Sequence, residues 1–586
     1  MKKIFSLLII SIFLTYSCED VLDKEPLDII SDAVVFDDPV LVQAYVNKIY
    51  SELSFLCRDV GALDMEWVDA TSSLTDEARQ GRSWHSLYAT YKAGYLDKNG
   101  GLLELWAYST IRKANVFLDK METNTSLDSE TKKEMIAQVR FARAITYFYM
   151  VKRYGGIPII IHAQEIDTPE EELFVSRNKE VEVYDFIISE MDAIANDLRT
   201  AYNNIGFPTK DAALALKSRA GMYAASIATW GNVDLDGLVG IPFVDAQSFW
   251  QASYDASKSI IESESRSLYN ELPDDKAENF RQLFVDENND EVIFSWQLTG
   301  KNVNNSYDLF MSPFQFCPGW GGANTSVYLE MVEEFENVDG SPGFFDWDLA
   351  TSQTWDLKDF FASKDPRFHA TINYEGVIWK GEPIENWGGI IKPDGTMITS
   401  GFYEGKPAVG GSYSAAGYAG GAITGFNVQK YLDETLEPVK NNTTKIDFIV
   451  FRLGEIYLNF AEAAFELGKQ GEALDAVNKI RERAGIALLN DITREKIRHE
   501  RKVELAFEDH RWWDLKRWRI AVDAITRNFT GIYTFYDVNS GKFKIEKNNN
   551  ADGGVSAAFN EKHYYFPITP NRISNNPNLA PENPGY

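Results

Sequence analysis

The stretch from Phe451 to Trp518 constrains the fold more than any other part of this 586-residue chain. It predicts three consecutive helices. In the first, Ile449, Leu453, Ile456, Phe460, Ala464 and Leu467 recur three and four residues apart and share one face. Gly468 follows the last periodic residue, as a left-handed stop would. Ala473, Val477, Ile480 and Ala484 repeat the pattern before Gly485. The third places Glu500, Glu504 and Glu508 four apart among Arg498, Arg501 and Arg511, and ends on Trp512, Trp513, Leu515 and Trp518. Carboxylates near His499 and His510 suit an active site or a metal cluster. Glutamates at that spacing repel unless cations lie between them, however, and arginines are interleaved here. We therefore assign the stretch to scaffold.

Similar stripes recur upstream. One helix is expected over 36–56, one from Leu102 through Met121, one from Ser129 to Tyr154 ahead of Gly155-Gly156, one from Val183 to Ala201, one around Leu216–Ile227 and one over 249–261. Helix pairs with short turns resemble degenerate tetratricopeptide repeats, a rigid curved slab without a strict 34-residue consensus. Between Cys57 and Gly101 the periodicity fails, and glycines alternate with Trp67, Trp84, His85, Tyr88, Tyr91 and Tyr95. Long irregular segments of this kind are commonly functional. From Asn279 to Lys445 glycine and tryptophan rise again. The run 409–425 is rich in glycine but lacks the GK[ST] ending of a phosphate loop, so it reads as a flexible surface loop. Residues 520–586, with five prolines from Pro567 to Pro584, read as an irregular wrap. The organisation expected is a segment at 1–17, a tether at 18–30, a helical part at 31–278, a loop-rich lobe at 279–445 and C-terminal helices with the wrap at 446–586.

The formal net charge is −29, which repels phosphate backbones and argues against nucleic-acid binding. Three cysteines cannot staple a chain of this length, and sequence leaves open whether Cys57 and Cys317 pair. The N-terminus carries Lys2 and Lys3, an apolar run from Ile4 to Leu14 and then Cys18, which is the pattern of a secretory signal peptide. That run is too short for a stable membrane span.

A sugar ring has an apolar face and a hydroxylated edge, so its binder needs an aromatic platform beside polar side chains. Two stretches supply both: Arg82 to Tyr88, with Asp97 and Asn99 downstream, and Tyr307 to Asn324, with Gln315 and Trp320. Asp76 and Glu77 could ligate calcium or serve a structural role, and we favour the structural one. No cofactor is expected. No nucleophile elbow, HExxH or phosphate loop is present, so catalysis is not expected either.

The segments RLGEIYLNFAEAAFE, AVNKIRERAG, ERKVELAFEDHRWWDLKRW and NPNLAPENPGY resemble the C-terminal half of the SusD/RagB family. TDEARQG at 75–81, LWAYSTIRKANVFL at 105–118, QVRFARAITYFYMVKRYGGIP at 138–158, DPRF at 365–368 and YYFPI at 564–568 extend the resemblance along nearly the whole chain. It implies a mainly α, SusD-like fold, in which helix pairs pack against an irregular lobe. It implies a lipoprotein acylated at Cys18, despite Tyr16 where a small residue is usual, and carried to the outer face of the outer membrane. It further implies capture of an oligosaccharide for a SusC-like TonB-dependent transporter, with peptide capture or glycoside hydrolysis as alternatives. By position, Trp84, Tyr88, Tyr307 and Trp320 become stacking candidates, and Arg82, Asp97, Asn99 and Asn324 polar candidates.

Overall fold

The computed structural model describes residues 32–58, 71–81, 92, 94, 97–101, 103–165, 167–201, 206–287, 289–298, 305–317, 321–413, 423–552 and 557–586. Its long helices are α1 (Pro39–Ser51), α2 (Tyr108–Thr123), α3 (Ser129–Tyr154), α4 (Glu180–Ile194), α5 (Lys210–Trp230), α6 (Ala246–Glu262), α7 (Leu453–Glu466), α8 (Gln470–Ala484), α9 (Arg494–Glu504) and α10 (Arg511–Arg517). Sequence punctuation sets several boundaries. Asp38 and Asp128 accept backbone N–H groups at the starts of α1 and α3, and Gly485 closes α8 in the left-handed conformation at φ 77°.

Each helix packs on the next, α2 on α3, α3 on α4, α4 on α5 and α5 on α6. The stack then continues from α6 directly to α7, and from α7 to α8 and α9. Everything between α6 and α7 is therefore an excursion from one helical array. The excursion returns through a strand pair, β2 (Val292–Trp296) with β6 (Phe448–Arg452), antiparallel and buried.

Four expectations need correction. Ile449 does not begin a helix but lies in β6, where FIVFR is buried on both faces. The helix expected from Leu102 begins at Tyr108, because side chains of α3 take up the preceding backbone. Arg153 Nε donates to Leu103 O at 2.7 Å, and Leu105 N donates to the Tyr154 hydroxyl at 3.0 Å. The third C-terminal helix splits into α9 and α10, with Phe507 and Asp509 at φ 61° and 63° between them. The C-terminal wrap also contains a regular hairpin, β7 (Gly531–Asp537) with β8 (Lys542–Asn548).

Below these elements lies a buried ionic network. Glu504 accepts from Arg452 at 2.8 Å, from Arg367 at 2.9 Å and from Arg483. Glu508 accepts from Arg452 at 2.7 Å and from Lys430 at 2.8 Å. Glu500 pairs with Arg367 and Arg481, and Glu291 with Arg452 and Arg483. The glutamates four apart are thus neutralised, as the scaffold reading requires, but by cations from the DPRF turn, from β6 and from α8. Of the arginines interleaved with them, Arg501 pairs with Asp514, Arg511 with Asp76, and Arg498 stacks 4.6 Å from the rings of Trp230 and Trp518. Two further pairs bind the array together, Arg219 of α5 with Glu455 of α7 and Arg517 of α10 with Glu462 of α7.

Removing one member of such a network leaves an uncompensated buried charge, at a cost of about 3–5 kcal/mol. Arg452→Met is therefore expected to lose about that much stability in urea titration. Arg494→Met, which breaks a partly exposed pair with Glu466, is expected to lose about 1 kcal/mol or less.

Burial opposes ionisation of Glu462, Glu500, Glu508 and Asp514, yet their arginine partners hold all four below the usual carboxylate range. Groups whose folded pKa is depressed stabilise the fold above their unfolded pKa of about 4 and lose that contribution below it. Unfolding free energy measured across pH 2–6 is accordingly expected to fall steeply below about pH 4.

Candidate functional site

A four-stranded sheet joins the two stretches singled out for ligand contact. Its order is β1 (Ala78–Gln80), β3 (Thr325–Val327), β5 (Asn427–Val428), β4 (Ile372–Asn373). β1 and β3 run antiparallel, with Gln80 opposite Thr325, and Gly81 N donates to Asn324 O. The chain leaving β1 and the chain entering β3 therefore meet at one end of the sheet. Segments more than 240 residues apart in sequence are brought together there.

The TDE motif fixes β1 from below. Asp76 accepts from Arg511 Nε at 2.8 Å and Nη2 at 2.9 Å, and from Lys502 Nζ at 2.9 Å. Burial alone would raise its pKa, but Arg511 and Lys502 hold it well below the ordinary value. Among the described residues no cation is bonded to Glu77. Burial and the neighbouring Asp76 charge push its carboxyl up to about 7. Its oxygen lies 3.4 Å from Phe507 N, at the break between α9 and α10. The buried Lys92 ammonium donates to the carbonyls of Thr75 and Ala78. Asp76 is thus a structural anchor.

On the β3 side, the helical turn Tyr307–Met311 and the turn Phe314–Phe316 fold back onto the incoming strand. Gly322 N, Ala323 N and Asn324 N donate to Leu309, Ser312 and Phe310 carbonyls. Gly322, at φ 86°, takes a conformation that a side chain would strain. Gln315 ties in two more segments. Its carboxamide oxygen accepts from Glu385 N at 2.6 Å and Ser412 Oγ at 3.0 Å, while Nε2 donates to Pro383 O. Ser412 lies near the start of the glycine-rich run that the sequence presents as a flexible surface loop. The structure instead fastens the start of that run to the Phe314–Phe316 turn.

The individual candidates are placed as follows. Arg82, Trp84, Tyr88 and Trp320, like Cys18, lie outside the described residues. Tyr307 is 5% exposed, its hydroxyl donates to Lys430 O at 3.0 Å, and its ring packs edge-on against Tyr431. It offers no open face for stacking. An aromatic beside a glycine-rich run is a signal shared by core and ligand residues, which is why sequence placed it on the surface. Asn324 is also buried, and its carboxamide oxygen has no partner among the described residues. Asp97 and Asn99 sit in an exposed turn, where Asp97 accepts from Asn99 N at 2.8 Å and Nδ2 at 3.2 Å. Trp106 is a packing residue, edge-on to Tyr154 with Arg572 over its face. Cys57 and Cys317 are not joined in a disulfide. Among the described residues there is no cluster of three metal-ligating side chains, and no helix is long and apolar enough to cross a membrane.

Asp76→Asn should leave Lys502 and Arg511 short of a counter-charge. A loss of about 3 kcal/mol in urea titration is expected, against less than about 0.5 kcal/mol for Glu495→Gln on the exposed face of α9.

Comparison with known proteins places this architecture. Residues 290–586 match the SusD family model, and residues 22–222 match a model described as starch-binding, associating with outer membrane. SusD-like protein P2 of Formosa agariphila is 25% identical over 620 residues, covering 100% of both chains. The starch-binding protein SusD of Bacteroides thetaiotaomicron is 25% identical over 503 residues, 81% of this chain and 76% of that protein. Among solved structures, a SusD-like protein from Bacteroides fragilis superposes with a TM-score of 0.73 at 25% identity, covering 96% of this chain and 100% of the other.

Proposed function

The chain belongs to the SusD family, and from that premise we propose that it is an outer-membrane lipoprotein that binds an oligosaccharide outside the cell. It would hand the ligand to a SusC-like TonB-dependent transporter and perform no chemistry on it. The observation that carries the reading is the Gly81–Asn324 hydrogen bond, which brings the two candidate ligand stretches to one end of a sheet. The stretch after Gly81 supplies Arg82, Trp84 and Tyr88, and the stretch before Asn324 supplies Trp320. Asp97 and Asn99 remain polar candidates. Tyr307 and Asn324 are buried and serve packing rather than ligand contact.

The names of the similar proteins support a glycan ligand, since one is a starch-binding protein and one matching family model is described as starch-binding. That model's outer-membrane association supports the location. Acylation of Cys18 supplies the anchor, because each buried acyl CH₂ contributes about 0.8 kcal/mol.

Isothermal titration of the mature protein against a broad oligosaccharide panel is expected to find at least one binder. Trp84→Ala and Trp320→Ala should each weaken that ligand about tenfold without moving the melting temperature. Silence across the panel with binding to peptides would replace the glycan by a peptide. New reducing ends after incubation would overturn the binding-only reading.

A further inference from the structure

A cavity of about 470 Å³ opens beside the C-terminal end of α5 and shares no residue with the β1–β3 sheet. That volume lies within the range of small-molecule sites, about 300–1,000 Å³. Half-buried Trp230 at the end of α5 and Tyr565 give it aromatic surface, with buried Tyr564 behind them, and Asn232, Arg519 and Lys562 bring polar groups to it. Asp234 and Glu561 line it as well.

Arg519 dominates the electrostatics. Its guanidinium carbon lies 4.7 Å and 4.9 Å from the ring centres of Tyr564 and Tyr565. Nη2 donates to the Tyr565 hydroxyl at 2.6 Å, and that hydroxyl donates onward to the buried Glu180 at 2.7 Å. Nε has no hydrogen-bond partner among the described residues, and the counter-charge on the guanidinium is Glu180, reached through the Tyr565 hydroxyl rather than by direct contact. Lys562 likewise has no direct carboxylate contact among the described residues, its ammonium lying 5.0 Å from the Tyr586 ring. In a chain of net charge −29, this cavity brings two cations together, neither in direct ion-pair contact among the described residues, beside the two carboxylates of its lining. Behind Trp230, Arg498 adds a third, stacked on the indole with Nε and Nη2 both without partners.

Two backbone features hold the guanidinium in place. Gly231 leaves it room, since a Cβ there would stand 3.3 Å from Arg519 Nε and 2.5 Å from Ile227 O. Arg519 itself sits at φ 58°, just past α10, where Ile520 N bonds back to Leu515 O. Glycine takes that helix-ending position freely, whereas an L side chain is strained there. Strain of this kind persists where the surrounding structure over-determines it.

We propose that this cavity is a second ligand site, selective for a sugar ring that carries an oxyanion. The ring stacks on the aromatic surface, its hydroxyls meet Asn232, and its carboxylate or sulfate lies against Arg519 and Lys562. Neutral sugars lack the group that those cations select.

The test is isothermal titration of the full mature protein with three oligosaccharides of equal length. One is built from glucuronic acid, one bears sulfate esters and one is neutral. The glucuronate chain is expected to bind at least about tenfold more tightly than the neutral one, as a charge-assisted hydrogen bond allows. Arg519→Gln should remove that preference. Because Arg519 also positions Tyr565, Lys562→Gln and Glu561→Gln are measured beside it. Lys562→Gln should weaken the anionic ligand about threefold, and Glu561→Gln, which deletes a like charge, should strengthen it by about as much. The preference should survive Trp84→Ala, which separates this site from the one proposed above. Sulfate binding as well as glucuronate assigns the site to oxyanions generally, and glucuronate alone narrows it to carboxylates. Equal affinity for the neutral chain, indifference to both Lys562→Gln and Glu561→Gln, or loss of the preference in Trp84→Ala overturns the proposal.

Discussion

Charge neutralisation without water holds this protein in one arrangement. Arg452, 1% exposed, bonds Glu291, Glu504 and Glu508, which come from the start of β2, from α9 and from the break after it. Arg367 adds the turn at Asp365, and Lys430 adds the segment that follows β5. Each carboxylate is surrounded by donors on other elements, so none of these elements can shift alone without stranding a charge. Well-packed apolar residues could match such a network in stability. What the network supplies is mutual registration of helices, strands and turns that have few other reasons to meet.

The registration reaches the proposed ligand face. Arg511 and Lys502, which flank the three-glutamate cluster in sequence, bind Asp76, two residues before β1. The interruption between α9 and α10 is where that docking occurs. Glu77 reaches Phe507 N, and the Thr71 hydroxyl bonds Asp509. A continuous helix there would close the seat of the TDE motif. Rigid support under irregular loops is the general arrangement for binding sites, because precision comes from the scaffold and variety from the loops.

Much of the helical array is legible from residue spacing. α3 runs over the residues that its pattern delimits, from Asp128 as cap to Gly155 as stop, because both boundary signals are local. The split after Glu504 is not legible, since AFEDH contains neither glycine nor proline and the break is imposed by segments more than 400 residues away. Ile449 fits a helical period by coincidence, because a strand buried on both faces carries no alternation to contradict it. The need for cations around Glu500, Glu504 and Glu508 could be read from their spacing. Their identities could not, because pairing across the fold leaves no local trace. The same limit applies to the site. Trp84 and Trp320 can be nominated for chemistry, whereas the hydrogen bond joining their segments appears only once β1 and β3 are paired. Tyr307 shows the converse error, an aromatic whose neighbours in sequence suggest exposure and whose neighbours in space enclose it.

The direct seating of α6 on α7 has an implication for how the molecule is made. About 190 residues separate the end of one helix from the start of the other. As the chain emerges, the apolar flank of the first six helices waits uncovered while the whole intervening lobe is produced. Contacts so distant along the chain form late and slowly, because loop closure must precede the reward for it. The finished array therefore has a seam that only the last quarter of the polypeptide can close.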